Sequence, residues 1–180
     1  MIVRLATAGD AAAIAAVYAP YVTDSFVSFE TDAPDEAEMR RRIAAGGALH
    51  PWLAGEVGGR LCGYAAASPF RARAAYRYAV ETSVYLAPDA CGRGLGRTLY
   101  ERLLDLLERQ GFVQAVGAIS LPNEASVRLH EALGFTAAGA YRQVGWKCDR
   151  WIDVGLWQRP LARAAAPPAE PKTFAEVWSG

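Results

Sequence analysis

The stretch Cys91-Gly92-Arg93-Gly94-Leu95-Gly96-Arg97 carries the most suggestive chemistry in the chain. Glycines let the backbone turn tightly and let a ligand approach amide N–H groups. An amphipathic helix follows at once, and its first turn adds unpaired donors at the positive end of the helix dipole. With Arg93 and Arg97 alongside, the stretch suits a phosphate or pyrophosphate. It is neither of two common nucleotide signatures. The glycines at 92, 94 and 96 do not give G-x-G-x-x-G, and no lysine stands where a P-loop needs one. Cys62, Cys91 and Cys148 are odd in number and scattered, which argues against a disulfide framework. With His50 and His130 they offer no zinc-ligand spacing, so no metal site is expected.

The elements that must position this loop follow from periodicity. Leu95, Leu99, Leu103 and Leu106/Leu107 recur at helical spacing and predict a helix over 94–110, stopped by Gly111. A strand is expected over 2–6. Thr7 then caps a helix, with Asp10 three positions on; its Ile14, Val17 and Tyr18 share a face and Pro20 limits it. A second helix is expected over 34–45, with Pro34 in the first turn and acids near its positive end. Arg40, Arg41 and Arg42 read there as a solvated helix end. Strands over 52–57 and 61–68 flank Gly58-Gly59 as a hairpin, and a third spans 78–86. A strand over 113–120, a helix over 123–133 closed by Gly134, and strands over 138–144 and 151–158 complete an α+β pattern. The sheet is expected to be mixed and mostly antiparallel.

Composition bounds the function. The chain has 180 residues, 52% hydrophobic and 21% charged, which excludes whole-chain disorder and favours one domain with a short tail. Residues 1–162 read as that domain. Residues 163–180 form an Ala/Pro-rich tail whose composition argues against packing, with Phe174 and Trp178 as residues able to dock. Lys+Arg and Asp+Glu are both 19, so nothing global attracts nucleic acid or an anionic membrane. The longest apolar run, 11–19, is too short to span a bilayer, and a reduced cytoplasmic protein is the expectation.

A second segment, Asn123-Glu124-Ala125-Ser126-Val127-Arg128-Leu129-His130-Glu131-Ala132-Leu133-Gly134-Phe135, follows the strand at 113–120. Together with the glycine loop it resembles the GNAT superfamily of N-acetyltransferases. The loop matches at Gly94 and Gly96, while Cys91 stands where Gln or Arg is usual. The resemblance narrows with Ser28-Phe29-Glu30-Thr31, the run from Phe70 through Arg71 and Arg73 to Tyr76, Val80-Glu81-Thr82-Ser83-Val84-Tyr85, and Leu121-Pro122-Asn123. These are similar to the phosphinothricin and methionine sulfoximine N-acetyltransferase group, and the likeness covers about residues 2–160.

The resemblance implies acetyl-CoA as cosubstrate, lying between splayed parallel strands at 78–86 and 113–120. It implies contacts from Val84, Tyr85 and Leu86, from Gly92, Arg93, Gly94, Leu95, Gly96, Arg97 and Thr98, and from Asn123 and Ser126. The acceptor would be a small zwitterionic amino acid. Phe29 would form an apolar wall, with Glu30 near the ammonium or the polar tail. Arg71 and Arg73, at i and i+2 of an extended segment, suit a bidentate grip on a carboxylate. Glu81, in an otherwise apolar strand, is the expected general base, since burial raises a carboxyl toward neutrality. His130 is expected as acid or second base, with Tyr85 and Tyr100 as further proton donors. A homodimer is also implied. Peptide N-termini, polyamines or aminoglycosides remain alternative acceptors, and a non-catalytic acyl-CoA-binding module remains a third reading.

Overall fold

The computed structural model describes residues 1–179. Seven strands form one sheet in the order β1-β2-β3-β4-β5-β7-β6. They are β1 (Ile2–Leu5), β2 (Trp52–Val57), β3 (Arg60–Pro69), β4 (Ala79–Leu86), β5 (Gln114–Leu121), β6 (Thr136–Lys147) and β7 (Arg150–Pro160). All neighbours are antiparallel except β4 and β5. The helices are α1 (Ala11–Thr23), α2 (Glu36–Ala45), α3 (Leu95–Gln110), α4 (Glu124–Ala132) and the short α5 (Phe174–Val177). The expected mixed α+β class is the observed one.

Helix α3 buries the leucine stripe that its spacing announces: Leu95, Leu99, Leu103, Leu106 and Leu107 are all essentially inaccessible. Removing such side chains from water is worth about 1.5–3 kcal/mol each, so this stripe fixes the helix against the sheet. The loop before it is thereby held in place.

Four local expectations are corrected. Thr7 caps a 3-10 turn (Ala8–Asp10), and α1 starts one residue later. Pro20 does not end α1, which continues to Thr23 with the Asp24 amide donating to the Pro20 carbonyl at 3.0 Å. An interior proline costs roughly 3 kcal/mol. Beyond it, buried Val22 and a hydrogen bond from the Tyr21 hydroxyl to the Leu86 carbonyl at 2.8 Å hold the last turn down. Pro34 precedes the cap of α2 rather than lying in its first turn: Asp35 is the cap, accepting from the Glu38 amide at 2.8 Å. Strands β6 and β7 are longer than expected at both ends, because their cross-strand pairing runs through to a tight turn at 148–149.

The tail also departs from its composition. Phe174, Val177 and Trp178 pack against the core, and Arg102 lies 5.1 Å over the Trp178 ring. Gln110, buried on α3, donates to the carbonyls of Leu49 and Lys172, and the Phe174 amide donates to the Ala48 carbonyl. Two aromatic residues and a borrowed set of backbone partners suffice to seat a segment whose average composition predicts none.

Candidate active site

The parallel pair defines the site. Strands β4 and β5 share the register pairs Ala79/Gln114, Val80/Ala115 and Glu81/Val116, and their ladder stops there. Past Glu81 the strands part. The gap, about 60 Å³, is lined by Thr82 to Tyr85 on one side, by 118–120 on the other, and by His130 from α4. Strand residues alternate between faces. Glu81, Ser83 and Tyr85 therefore face the α1/α2 layer, whereas Thr82 faces α3, where its hydroxyl meets the Tyr100 hydroxyl at 2.8 Å. On the α1/α2 face lies a cavity of about 380 Å³ lined by Tyr18, Arg42, Trp52, Tyr64 and Glu81 among others. Ser83 and Tyr85 line both spaces and so form the partition between them.

Glu81 sits where the strands part. One side of it is open to solvent, yet the protein packed around it pushes its carboxyl above the ordinary value, and the positive charge of Arg71 pulls it partly back. A carboxylate so placed is suited to accept a proton near neutral pH.

His130 is 4% exposed on the opposite face. Its Nδ1 lies 2.8 Å from the Ser126 carbonyl and its Nε2 lies 3.0 Å from the Tyr100 hydroxyl. A carbonyl can only accept, so Nδ1 carries the proton; Nε2 then accepts from Tyr100, which in turn accepts from Thr82. Burial lowers the ring's affinity for a second proton, against a smaller opposing effect of the Ser126 carbonyl. The imidazole is thus neutral, with both nitrogens engaged inside the protein. Gly117 on β5 makes room for it: a Cβ there would stand 2.5 Å from Nε2.

The glycine loop has the form an anion needs. Gly94 caps α3 with φ +82°, a left-handed conformation that disfavours side chains. The first helical bond is from the Thr98 amide to the Gly94 carbonyl at 3.0 Å, so the amides of Leu95, Gly96 and Arg97 precede it and are free for a ligand. Those donors, and the open space beside Gly92 and Gly94, fit the pyrophosphate of a coenzyme. Of the flanking cations, Arg93 is exposed, while the Arg97 guanidinium pairs with Glu101 at 2.8 Å. The Thr98 hydroxyl donates to the Gly94 carbonyl, and the Asn123 side chain caps α4 through the Ser126 amide at 3.1 Å. The Leu86 carbonyl is taken by Tyr21, and its side chain packs beside Gly63 and Gly96.

The remaining expected residues cluster around the α1/α2 face. Arg71 reaches the Tyr141 hydroxyl at 3.3 Å and lies 5.1 Å over the Phe70 ring. The segment holding Arg71 and Arg73 is a bend leading into a 3-10 turn (Ala74–Tyr76), not one extended run. Phe29 lays its ring against Gly145 of β6, where a Cβ would come within 2.3 Å of it. Glu30 does not stand free: Arg42 donates to both of its oxygens at 2.8 and 2.9 Å, and the Tyr18 hydroxyl adds a bond at 2.9 Å. The Arg42 pairing holds the Glu30 carboxyl below its usual value, against the cost of burial. Arg42 is therefore a cavity residue, and the reading of 40–42 as a merely solvated helix end is corrected at that position. Ser83, Thr82 and Gly117 join it as site residues that the sequence reading passed over.

A forked parallel pair, an anion loop at the helix that follows, and a carboxylate at the fork can be compared with known proteins. A family described as "Acetyltransferase (GNAT) domain" matches residues 3–156. The chain belongs to the GNAT acetyltransferase family. This GNAT chain is 44% identical to a phosphinothricin N-acetyltransferase of Streptomyces viridochromogenes, covering 95% of this chain and 94% of that one. It is 38% identical to an L-methionine sulfoximine/L-methionine sulfone acetyltransferase of Salmonella typhimurium, over 94% and 99% of the two chains. A GNAT phosphinothricin acetyltransferase from Sinorhizobium meliloti, solved in complex with acetyl-CoA, superposes with a TM-score of 0.89 at 35% identity, over 96% and 97%. Like its relatives, this GNAT protein is an acetyl-CoA-dependent N-acetyltransferase.

Proposed function

We propose that the protein moves acetyl from acetyl-CoA to the α-amine of a small amino acid of the class that includes methionine sulfoximine, methionine sulfone and phosphinothricin. The observation that carries this reading is the position of Glu81, at the last paired register of β4 and β5 and on the wall of the 380 Å³ cavity, with the positive charge of Arg71 acting on its carboxyl. An amino acid presents its ammonium and carboxylate on one carbon and matches such a pair.

Acetyl-CoA supplies the acetyl group activated as a thioester. The amides of Leu95, Gly96 and Arg97, with Arg93 nearby, hold its pyrophosphate. Arg71, supported by Arg73, holds the acceptor's carboxylate. Glu81 takes a proton from the ammonium, directly or through a water, and frees the nitrogen lone pair for attack; such base catalysis is worth typically ~10²–10⁴-fold. The proton then leaves Glu81 through its open side; attack forms the C–N bond as the C–S bond breaks, and the second proton of the former ammonium passes to the departing thiolate or to water. No acid is required of the chain at the departing sulfur, because an ordinary thiol has a pKa of about 8.5. His130 takes a positioning part: neutral and fixed by Ser126, it orients Tyr100, which orients Thr82 on the wall of the gap.

We also read the chain as a cytoplasmic homodimer. Tyr141, Val144, Trp146 and Trp151 are exposed along β6 and β7, with the two tryptophan rings 5.3 Å apart, and such a patch favours burial against a second copy. Sedimentation at micromolar concentration checks this, a monomer refuting it. No helix among the described residues is long and apolar enough to cross a membrane. The function is tested by thiol release from acetyl-CoA over a panel of amino acids, sulfoximines, peptides, polyamines and aminoglycosides. Turnover confined to peptides or polyamines would overturn it.

A further inference from the structure

We propose that Glu170, in the C-terminal tail, is a positioning residue for the acceptor: through Arg77 it holds the segment carrying Arg71 and Arg73 where those side chains meet the amino acid's carboxylate. The inference rests on the amino-acid reading above and gives the tail a part in it.

The segment needs a hold from outside. Residues 71–77 lie between β3 and β4, and every one of them is exposed, so burial gives the stretch no fixed orientation. Its own order is local. The Tyr76 and Arg77 amides donate to the carbonyls of Arg73 and Ala74 at 3.0 and 3.2 Å, and the Tyr76 ring meets Phe70 edge-on at 5.6 Å. Among the described residues, the side-chain hydrogen bonds that tie it to other parts of the fold come from Arg71 and Arg77. Arg71 reaches the Tyr141 hydroxyl at 3.3 Å, which is long for such a bond. Arg77 grips the Glu170 carboxylate more closely, with Nη2 2.8 Å from one oxygen and Nε 3.0 and 3.1 Å from the two. The Tyr78 hydroxyl donates to the same carboxylate at 3.0 Å, and the guanidinium lies 4.5 Å over the Tyr78 ring. An exposed ion pair alone does little, but a forked guanidinium–carboxylate contact with a third donor sets direction as well as distance. Arg77 Nη1 turns back to the Ala74 carbonyl at 3.1 Å, so one guanidinium joins the tail to the turn that Arg73 caps.

Glu170 is itself presented from a firm base. Pro171 follows it and restricts it to extended backbone. Both backbone groups of the next residue, Lys172, are paired with Gln110 of α3. The Lys172 amide donates to the Gln110 carbonyl at 2.8 Å, and the Lys172 carbonyl accepts from the buried Gln110 side chain at 2.9 Å. Thr173 and Glu176 then cap α5 reciprocally, and Phe174, Val177 and Trp178 pack against the core. A path of contacts therefore runs from the core helix α3 through Lys172 to Glu170, and on through Arg77 and Ala74 to Arg73. Two residues before Arg73 stands Arg71, whose positive charge acts on Glu81. The glycine loop has no part in this path, so the hold bears on the acceptor and not on the pyrophosphate.

The test compares Glu170→Gln with the wild-type protein. KM for the amino acid that the wild type turns over best should rise ~2–5-fold, the scale of an exposed charged network, with kcat within ~2-fold. Calorimetry should show acetyl-CoA bound as before. Arg77→Gln should act alike, and the double variant should do no more than either alone, because both substitutions remove one contact. An unchanged KM, an equal loss of acetyl-CoA affinity, or effects that multiply in the double variant would overturn the inference and leave the proposed function standing. Hydrogen exchange reads the hold without substrate. The Tyr76 and Arg77 amides should exchange at least ~3-fold faster in Glu170→Gln, and equal rates overturn the inference whatever the acceptor. Turnover of peptides or polyamines alone by the wild-type protein, measured before any variant, would instead remove the proposed function itself.

Discussion

Gly117→Ala adds one methyl group at the point where β5 passes His130. The new Cβ would stand 2.5 Å from Nε2 and 2.7 Å from Cδ2, where ordinary contacts begin near 3.4 Å. The ring has to retreat by most of an ångström. It has little freedom to do so: Nδ1 is tied to the Ser126 carbonyl, and the ring lies between Tyr100 and Phe135 at centroid distances of 5.1 and 5.0 Å. Overpacking of this kind costs ~1–3 kcal/mol. Loss of the Tyr100–His130 bond adds about 1 kcal/mol. Replacing glycine also restricts the unfolded chain, which returns roughly 0.4–1 kcal/mol. The balance is about 1–3.5 kcal/mol of destabilisation. For a chain of this length each kcal/mol moves Tm by roughly 2–4 °C, so a fall of about 2–14 °C is expected in thermal melts followed by circular dichroism. The cause is identified by a cycle: in a His130→Ala background, where the obstructing ring is gone, Gly117→Ala should cost at least ~1 kcal/mol less. A Tm within a degree of wild type, or equal costs in both backgrounds, would refute the steric argument and with it the fixed position of the ring.

Glu81→Gln should lower kcat/KM by ~10²–10⁴-fold at neutral pH, and the deficit should shrink as pH rises and the free amine becomes abundant; an unaltered pH profile would remove Glu81 from the role of base. Arg73→Ala should raise KM for the amino acid while calorimetry shows acetyl-CoA bound as before, and unchanged KM would free the carboxylate from that contact. Gly94→Val, at φ +82°, should abolish acetyl-CoA binding while the apo protein stays folded; retained binding would count against the loop. Asp10 is held down to about pH 2 from 3.8, chiefly by its hydrogen bond with Arg4, so its contribution to stability is present above pH 3.8 and lost as pH falls through 2. Asp10→Asn should thus be less stable than wild type at pH 5, with the difference closing between pH 4 and 2 in urea titrations; a constant difference would place the effect elsewhere.

Periodicity carried most of the fold, because the patterns concerned are local. The leucines of α3 and the glycines flanking it fix a helix and its entry whatever surrounds them. Where packing decides, the pattern misleads: Pro20 is overruled by Val22 and Tyr21, and the Ala/Pro tail is seated by Phe174 and Trp178. The site divides along the same line. Glu81 stands out as a charge in an apolar strand, and Gly117 was a readable sign too, since a lone glycine inside a strand marks close approach. Thr82 is in phase with Val80 and Val84, and that placement on the buried face could have singled it out. Arg42 left no such trace. Its position in the cavity depends on α2 packing on α1 across the cavity from β3 and on Glu30 returning from a separate loop, and neither is encoded within a window of neighbours.

Among the described residues, the main-chain pairing that joins one half of the sheet to the other is confined to the three register pairs between β4 and β5 and the Val113 amide donating to the Tyr78 carbonyl at 2.8 Å just before them. On one side lie β1 to β4, on the other β5, β7 and β6, and beyond Glu81 the two halves face each other with their inner edges unmatched. Those edges carry amide donors and carbonyl acceptors, and the pantetheine arm of acetyl-CoA carries two amides of its own. On the proposed placement, acetyl-CoA entering there would behave as a short non-protein strand, completing a sheet that the polypeptide leaves unfinished. Tm should therefore climb with acetyl-CoA, and hydrogen exchange should slow first at residues 82–86 and 118–121 rather than across the whole domain. Because acetyl-CoA is spent in each turnover, that placement would give the protein a part of its architecture that departs and returns with every catalytic cycle.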